Sequence, residues 1–531
     1  MISTARSAAI VCTSFALVLL GTSPIPSDGA NILVFPGLGE ATHSLVPRML
    51  GERLVDRGHN VTIVTSSIFV NSSWHASPSE RIPFVVYKSI YEREYILGTI
   101  ENFINKSVNG EMSVKEHFKQ LSQGTEFFTA ELESVLGDYE VMYRLIEGKY
   151  DIALIDPFAL FPLLVVERLR IPLMIPHCPG TLPPPLARLF GLPSNPSYVP
   201  DGMTGLSHRM SFMERLQNTL SSAGYIVFKY LFLNGFNEKR HLWNVNPQIS
   251  TADALMKRYD AWLVNSNFVL DYSRPFLPHT GLLGGSLIRP ASSIPPGVLL
   301  DFLEGAGDSG VVLVSLGSFV TSMDEKKLQI LTEAFAKLPN QVLWRLPTEL
   351  TPSKLGNNTL VVPWIPQNDV LGHPNVVAFV SNGGGLGGYE ATYQGVPIVS
   401  IPFFTDHPDN AIRLVSKGIG VIVNIQSITT EILYNAIKEV TSEPSFKLEA
   451  QRWSEVLRDF PDKGLDYACF IVEYVIKHGG DITRAKGQSM TGYQYYLVDV
   501  CLFLIIAFHV FEFVFLSVFF NVKKVIMEKI H

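Results

Sequence analysis

A glycine-rich run between a predicted strand and a predicted helix is the first place where residue types and spacing could do chemistry. The run reads Asn382-Gly383-Gly384-Gly385-Leu386-Gly387-Gly388, and the helix after it carries Glu390. Glycines let the backbone approach an anion closely, and the exposed amides of a helix N-terminus favour phosphate. A glycine-rich run that stands alone is a purely structural turn in about half of cases. The residues around it therefore decide whether it predicts a phosphate site.

Two side chains near this run suit the rest of a nucleotide. Trp364 offers a flat face to a base, and Glu390 can accept hydrogen bonds from ribose hydroxyls. The chain has no Walker A sequence, which argues against ATP. Gly37 and Gly39 suggest an NAD-dependent dehydrogenase. That alternative is disfavoured because their loop lacks the third glycine and no acidic residue follows the second strand.

A histidine and an aspartate in the N-terminal half are candidates for acid–base chemistry. His43 lies in the loop after the first predicted strand, and Asp156 stands at the carboxyl end of a buried strand. Imidazole titrates near neutral pH, and a carboxylate can orient it and stabilise its charged form. Taken alone, a loop histidine is more often a surface or capping residue, and Asp156 before Pro157 could cap a helix.

The elements that would position these residues form two α/β patterns. The first opens with a strand at 31–35, a tight loop, a helical stretch and a strand at 61–64, which is typical of a parallel βαβ layer. A Pro-rich linker at 284–297 follows, and then the pattern restarts. The strands predicted beyond the linker are 310–315, 341–345, 359–362 and 376–380. Two doubly wound halves predict an α/β protein with a cleft between domains, where ligands commonly bind.

Length and composition agree with this organisation. The 531 residues exceed what one hydrophobic core usually organises, so we expect two domains. Hydrophobic residues make up 47% of the chain and charged residues 17%, which argues against disorder and indicates some membrane contact. The net charge is −7, and the body has no Lys/Arg-rich block, so nucleic acid is not expected as a partner.

The two ends of the chain predict a secretory membrane protein. Arg6, an apolar run at 8–20 and the small residue Ser23 match a signal peptide at 1–23. Apolar residues dominate 500–520, which is long enough to cross a bilayer, and lysines follow in the tail at 521–531. By the positive-inside rule, the body is lumenal and the tail cytosolic. Glycosylation sequons, which agree with this route, begin at Asn60, Asn71, Asn105 and Asn357.

The segment 364–420 resembles the signature of the UDP-glycosyltransferases, most closely the animal UDP-glucuronosyltransferase branch. Other matching segments are YDIALIDP, PSNPSYVP, NSNFVLDYSRPFLPHTGLLGG, VSLGSFV, VLWR and the terminal span with its lysines. The resemblance implies a GT-B fold of two facing Rossmann-like domains. It assigns acceptor binding to 24–285, UDP-sugar binding to 286–495 and a membrane helix to 497–520. It also favours the endoplasmic reticulum membrane, in a single-pass type I orientation.

The resemblance implies a role for each candidate residue. Trp364 stacks on uracil, Gln367 contacts the nucleoside and Glu390 the ribose. The expected diphosphate contacts are Ser318, Gly384, Gly385 and Gly387. Asp406 and His407 face the sugar, His43 is the catalytic base and Asp156 orients it.

Two positions depart from the family pattern. Asn382 stands where the family usually has His, so stabilisation of the leaving group is weaker or comes from Arg345 and backbone amides. His407 stands where the family usually has Gln, and members with His there are more often associated with galactose. The sugar at this site is therefore open.

The predicted function is an inverting transfer of a sugar from a UDP-sugar to the hydroxyl of a small lipophilic acceptor. Glucuronic acid is the family default for the sugar, and no metal or other cofactor is expected. One alternative keeps the fold but uses UDP-galactose or UDP-glucose, with a lipid or small molecule as acceptor. Another is a catalytically silent UDP-sugar binder, suggested by Asn382, although the retained His43 and Asp156 argue against it. Membrane lipid is a further expected partner, and homo- or hetero-oligomers remain open.

Overall fold

The computed structural model describes residues 29–37, 41–70, 81–111, 113–246, 252–317, 323–459 and 464–530. The predicted signal peptide at 1–23, the sequon at Asn71 and the diphosphate candidate Ser318 lie outside these residues. The chain divides into a larger unit that ends at Thr483 and a smaller one that begins at Arg484.

Two parallel β-sheets organise the larger unit. The strands of the first sheet are β1 Asn31–Phe35, β2 Asn60–Ser66, β3 Phe84–Tyr87, β4 Ile152–Ile155, β5 Leu173–Cys178, β6 Trp262–Val264 and β7 Thr280–Leu282. The strands of the second are β8 Val311–Ser315, β9 Gln341–Arg345, β10 Thr359–Val362, β11 Val376–Ser381, β12 Ile398–Ser400 and β13 Gly420–Ile422. Their spatial orders are β3-β2-β1-β4-β5-β6-β7 and β10-β9-β8-β11-β12-β13. Both sheets thus have doubly wound topology, as the sequence predicted.

Helices connect these strands and cover both faces of each sheet. In the first half they are α1 Ala41–Asp56, α2 Arg93–Asn109, α3 Val114–Leu136, α4 Tyr139–Glu147, α5 Phe161–Leu169, α6 Pro184–Leu189, α7 Phe212–Leu242 and α8 Ala252–Met256. In the second half they are α9 Val298–Glu304, α10 Glu325–Ala336, α11 Gln367–Leu371, α12 Gly385–Tyr393, α13 His407–Val415, α14 Thr430–Ser442, α15 Pro444–Arg458 and α16 Gly464–His478.

The sequences of the central strands explain why they lie in the middle of each sheet. All four residues of β4 and all five of β8 are buried, and both strands consist almost wholly of Ile, Leu, Val and Ala. A parallel strand covered on both faces needs a continuous apolar run, because each face packs against helices. The cores accordingly lie on both sides of the two sheets.

Two helices pack against the sheet of the other half. Ile104 and Val108 of α2 belong to a core cluster of the second sheet, although α2 follows β3 in the chain. Cys469 and Val472 of α16 belong to a core cluster of the first sheet, although α16 follows the second. The two halves are therefore interlocked by exchanged helices as well as joined by the linker.

In both sheets the order in which successive strands are added changes direction between two central strands. These are β1 and β4 in the first sheet, and β8 and β11 in the second. At the carboxyl end of the β1–β4 pair, Ile155 lies beside Phe35. At the carboxyl end of the β8–β11 pair, Ser381 lies beside Ser315. Ligands of doubly wound sheets bind at such ends. The loops that follow these four strands are thus where the fold predicts the site.

The smaller unit contains α17 Gly492–Tyr495 and the long helix α18 Val498–Ile530. Within the described residues, one helix is long and apolar enough to cross a membrane, at Val498–Lys529. His509 and Glu512 lie on one face of it, with Nδ1 and Oε2 3.4 Å apart. Such a pairing reduces the cost of placing a carboxyl group in lipid. The helix continues past the predicted limit at residue 520, through the lysines of the tail.

Candidate active site

A cavity of about 1140 Å³ is lined by residues from both halves of the larger unit. His43 and Phe158 line it from the first half, and Gly384, Asp406 and His407 line it from the second. A large cavity between two doubly wound domains is the usual place for substrates. The predicted base and the predicted sugar-facing residues therefore open onto one common space, whereas Asp156, Arg345, Trp364 and Glu390 do not line it.

The cavity-lining His43 is paired with the buried Asp156. The helix α1 begins at Ala41, so His43 lies in its first turn rather than in the preceding loop. Asp156 is the residue directly after β4. Its Oδ2 lies 2.7 Å from His43 Nδ1. The backbone N–H of Phe158 donates to Asp156 Oδ1 at 2.9 Å and fixes the carboxylate. Because a carboxylate accepts the Nδ1 proton, Nε2 is left as the basic nitrogen.

The surroundings of His43 set its proton affinity. The His43 side chain is 25% exposed and the Asp156 side chain 2%. Burial lowers the pKa of His43, but the charge of Asp156, its hydrogen bond and the charge of Asp406 outweigh this effect. The pKa of His43 is consequently raised above its usual value near 6.5. This imidazole is suited to take a proton and to hold it.

Two glycine turns face each other at the carboxyl end of the second sheet. Gly317 follows β8 with a φ of 86°, and a Cβ there would lie 2.4 Å from Asn382 Nδ2. Gly383 follows β11 with a φ of 81°, and a Cβ there would lie 2.8 Å from the His407 carbonyl oxygen. Only glycine fits both positions, because a side chain would be strained as well as crowded. The backbone can therefore approach a ligand closely here.

Asn382 and the start of α12 shape the predicted diphosphate position. Gly384 is the N-cap of α12, and its N–H donates to Asn382 Oδ1 at 3.1 Å. The cavity is lined here by Asn382, Gly384, Gly385, Leu386 and Gly387. The amide oxygen of Asn382 is thus used to hold the turn, while free N–H groups of the helix start favour an anion. Arg345 donates from Nη1 to the Gly317 carbonyl at 2.9 Å, which supports the facing turn.

Two of the nucleoside candidates, Gln367 and Glu390, are in contact beside this turn. Gln367 Nε2 donates to Glu390 Oε2 at 2.5 Å, so a residue of α11 meets one of α12. Burial raises the pKa of Glu390 to about 7, against the hydrogen bond from Gln367. Gln367 lines the cavity. The Trp364 side chain is 70% exposed and is not among the cavity-lining residues, so its face is open to solvent.

Asp406 and His407 stand at the N-terminus of α13. Asp406 accepts from Thr405 Oγ1 at 3.0 Å and from Asn410 Nδ2 at 2.8 Å. His407 is 7% exposed, and its Nδ1 has no hydrogen-bond partner within the described part of the chain. Burial lowers the pKa of His407, and the charge of Asp406 opposes this only partly. The ring of Phe404 lies 4.4 Å from the His407 ring. His407 therefore presents a buried imidazole whose neutral form is favoured.

Sequence reasoning missed Asp409, which joins the two halves beside this site. Its carboxylate accepts from the backbone N–H of Met203 at 2.7 Å and from that of Gly205 at 2.9 Å. A loop of the first half is thereby held against α13. No side-chain pattern indicates this contact, since the donors are backbone groups. The sequence signal that could have indicated Asp409 is that it is the second acidic residue of the segment DHPDN at 406–410.

The cavity wall contributed by the first half is largely apolar and aromatic. Its lining includes Phe69, Tyr91, Tyr95, Ile96, Ile100, Phe127, Phe128, Phe158, Leu160, Leu186 and Tyr225. Apolar walls with a few polar groups are typical of sites for small lipophilic molecules. Among the described residues, no group of three His, Cys, Asp or Glu side chains could hold a metal ion.

Comparison with known proteins identifies relatives of the whole chain. A family model described as "UDP-glucoronosyl and UDP-glucosyl transferase" matches residues 30–531. Human UDP-glucuronosyltransferase 2A2 is 34% identical over 498 residues, 90% of this chain and 89% of that protein. UDP-glucuronosyltransferase 2B13 of Oryctolagus cuniculus is 34% identical over 514 residues, 93% of this chain and 94% of that protein.

Solved structures show the same fold at lower identity. The glycotransferase of kitacinnamycin matches with a TM-score of 0.58 at 22% identity, covering 84% of this chain and 98% of that one. Os79 from O. sativa, in complex with UDP, matches with a TM-score of 0.54 at 18% identity, covering 83% and 100%. The predicted GT-B fold and the family resemblance are thus confirmed. From its fold and from the match along nearly its full length, the chain belongs to the UDP-glucoronosyl and UDP-glucosyl transferase family, and it is a UDP-glycosyltransferase.

Proposed function

We propose that this enzyme transfers a sugar, with inversion, from a UDP-sugar to the hydroxyl of a small lipophilic acceptor. The observation that supports this most directly is that His43, paired with Asp156, lines the same cavity as Asp406 and His407. A base on one wall and donor groups on the other suit a displacement between two bound substrates. The apolar lining contributed by the first half supports a lipophilic acceptor.

In the proposed step one bond to the anomeric carbon forms, another breaks, and one proton is transferred. The acceptor oxygen attacks the anomeric carbon while His43 Nε2 takes its proton, and the bond from that carbon to UDP breaks. Asp156 stabilises the imidazolium that forms, consistent with the raised pKa of His43. The proton then leaves to solvent. Backbone N–H groups at the start of α12 would stabilise the departing diphosphate, so the step uses no metal ion.

A catalytically silent UDP-sugar binder is the competing proposal, because Asn382 brings no positive charge to the diphosphate. Two observations weigh against it. The His43–Asp156 contact serves no evident purpose in nucleotide binding, since both residues belong to the first half. Asn382 Oδ1 holds the N–H of Gly384, so Asn382 keeps the shape of the turn.

The proposal is tested on membranes that carry the full-length protein. They are incubated with a simple phenol and, separately, with UDP-glucose, UDP-galactose and UDP-glucuronic acid, and the conjugates are detected by mass. We expect conjugation by the wild type and a loss of at least about 100-fold in His43→Ala, the usual scale for removal of a general base. UDP affinity should stay within about twofold, because the nucleotide candidates lie in the other half. Turnover close to wild type in His43→Ala would remove this residue from the mechanism.

A further inference from the structure

The helix α13 is held to the first half of the larger unit by two side chains. The N-cap of this helix is Asp406. Further along it, the Asp409 carboxylate accepts from backbone N–H groups of the loop at 203–205. One turn later, Arg413 Nε lies 3.2 Å from Asp271 Oδ1, in the segment after β6. A residue expected to face the sugar thus begins a helix whose position depends on the other half.

Asp271 fixes the position of the Arg413 guanidinium. The Asp271 side chain is 6% exposed, and it accepts from the backbone N–H of Tyr272 at 2.8 Å and from Arg274 Nη2 at 3.1 Å. The Arg413 guanidinium also lies over the Tyr272 ring, 5.6 Å from the centroid. A planar cation that is packed on a ring and paired with a buried carboxylate keeps one orientation. The first half therefore decides where the N–H groups of Arg413 point.

Arg413 in turn decides which way the amide of Asn410 faces. Arg413 Nη1 donates to Asn410 Oδ1 at 3.0 Å. A guanidinium has only donors, so the amide oxygen must face it and the amide nitrogen must face away. On that other side, Asn410 Nδ2 donates to Asp406 Oδ2 at 2.8 Å. A flipped amide would set its nitrogen against the guanidinium and its oxygen against the carboxylate, and both hydrogen bonds would be lost.

The hydrogen bond from Asn410 orients a carboxylate that is otherwise exposed. Asp406 is exposed and lines the cavity. Its Oδ1 accepts from the hydroxyl of the adjacent Thr405 at 3.0 Å, and its Oδ2 accepts from Asn410. One hydrogen bond to each oxygen fixes the plane of the carboxylate and leaves lone pairs for the hydroxyls of a sugar. Loss of the bond from Asn410 would free this carboxylate to rotate.

We propose that Arg413 is a positioning residue for the sugar donor, which orients the Asp406 carboxylate through Asn410 and is itself held by Asp271. The inference rests on the proposed function for the contact between Asp406 and the sugar. The four side chains act in series from the first half of the larger unit to the sugar. The sugar is therefore held fully only when the first half is docked on α13, whereas UDP alone needs none of these side chains.

Donor binding tests this series without requiring turnover. In full-length His43→Ala, the Kd values of UDP, UDP-glucose, UDP-galactose and UDP-glucuronic acid are measured by calorimetry. Asn410→Leu is then added, because leucine has the same branching at Cγ and makes neither hydrogen bond. We expect the Kd of the most tightly bound UDP-sugar to rise by about tenfold, the scale of one hydrogen bond to a charged group. The Kd of UDP should stay within about twofold.

A double-mutant cycle shows whether the loss is transmitted through Asp406. Asp406→Ala should itself weaken binding of the UDP-sugar, and Asn410→Leu should then cause no further loss. Arg413→Met should follow the same pattern, with about a tenfold loss by itself and none in Asp406→Ala. A merely structural role of Asn410 or Arg413 would weaken binding whether or not the Asp406 carboxylate is present. If Arg413→Met does not fold, Asn410→Leu still decides, because it keeps the ion pair between Arg413 and Asp271.

Asn424→Leu is the matched control. Asn424 is exposed, does not line the cavity and accepts from the backbone N–H of Gln426 at 2.8 Å. We expect its Kd for the UDP-sugar to equal that of His43→Ala. The proposal is overturned by an unchanged Kd in Asn410→Leu or in Asp406→Ala, or by a further loss in the double variants. Absence of turnover in the wild type contradicts the proposed function instead, and the Kd values still decide this inference.

Discussion

At the scale of single residues, Asp156 governs the proton affinity of the candidate base. It is held on one oxygen by the N–H of Phe158 and binds His43 with the other. Its charge and hydrogen bond raise the pKa of His43 against the lowering effect of burial. The active, neutral form of His43 therefore predominates only above a pKa that lies higher than 6.5.

Asp156→Asn should change both the rate and its pH dependence. Without the carboxylate, burial remains and lowers the pKa of His43, so the acidic limb of the kcat/KM profile should move to lower pH. The maximal rate should fall by about 100-fold or more, because the imidazolium is no longer stabilised. The measurement is a pH–rate profile from pH 5 to 9 for wild type and variant. An acidic limb that stays in place would assign it to a group other than His43.

The sequence indicated these residues one at a time but not their contact. Asp156 could be recognised because it follows an uninterrupted apolar strand. His43 lies 113 positions earlier, and no local pattern shows that the two side chains meet. The family resemblance supplied that pairing. Asp409 went unrecognised for a related reason, since its partners are backbone N–H groups of a loop far away in the chain.

At the scale of elements, α2 connects the cavity wall that we propose for the acceptor with the residues that we propose for the sugar. Tyr95 and Ile100 of this helix line the cavity. One turn further on, the ring of Phe103 lies 6.0 Å from that of Phe404, which in turn packs on His407. A helix of the first half thus supports a side chain that we assign to the donor.

Phe103→Ala should weaken transfer without weakening UDP binding. Removal of the ring lets Phe404 and His407 shift, and we expect kcat/KM for the sugar donor to fall by roughly tenfold or more. The UDP affinity should change by less than about twofold. Ile104→Ala serves as the control, because Ile104 is buried in the core of the second sheet and loses a comparable amount of packing. Equal losses of kcat/KM in both variants would attribute the effect to stability alone.

Individual elements were predictable where one local signal dominates. The strands at 31–35 and 359–362 were predicted with their observed limits, because short apolar runs bounded by polar or turn residues identify strands. Which of the two sheets α2 and α16 pack against was not predictable from the sequence. The amphipathic pattern of a helix tells which face is buried, but not which surface covers it.

At the scale of the whole molecule, the same arrangement occurs twice. The candidate base and its partner follow β1 and β4, and the glycine turns follow β8 and β11. Each half thus contributes the loops after the two strands where its strand order reverses. The doubly wound topology itself brings the positions proposed for the two substrates to one cavity.

The terminal helix predicts the orientation of the enzyme in a membrane. With α18 as the single span and the basic tail in the cytosol, protease added to sealed microsomes should remove no more than about the last dozen residues. An epitope on the C-terminus should be lost while the body stays intact on immunoblots. Detergent-opened vesicles are the control, in which the body should become accessible. Digestion of the body in intact vesicles would contradict this orientation.

The position of α16 has a consequence for the order in which the protein can fold during its synthesis. This helix covers one side of the first sheet. Its Asp466 binds Arg53 of α1, the helix that carries His43, and Arg57 in the turn that follows α1. Residues 464–478 leave the ribosome long after β7 is complete. The first half therefore emerges with an apolar face uncovered and waits for nearly the whole second half to be made. Chaperones that shield this face would act during that interval, and a nascent chain truncated before α16 would keep it exposed.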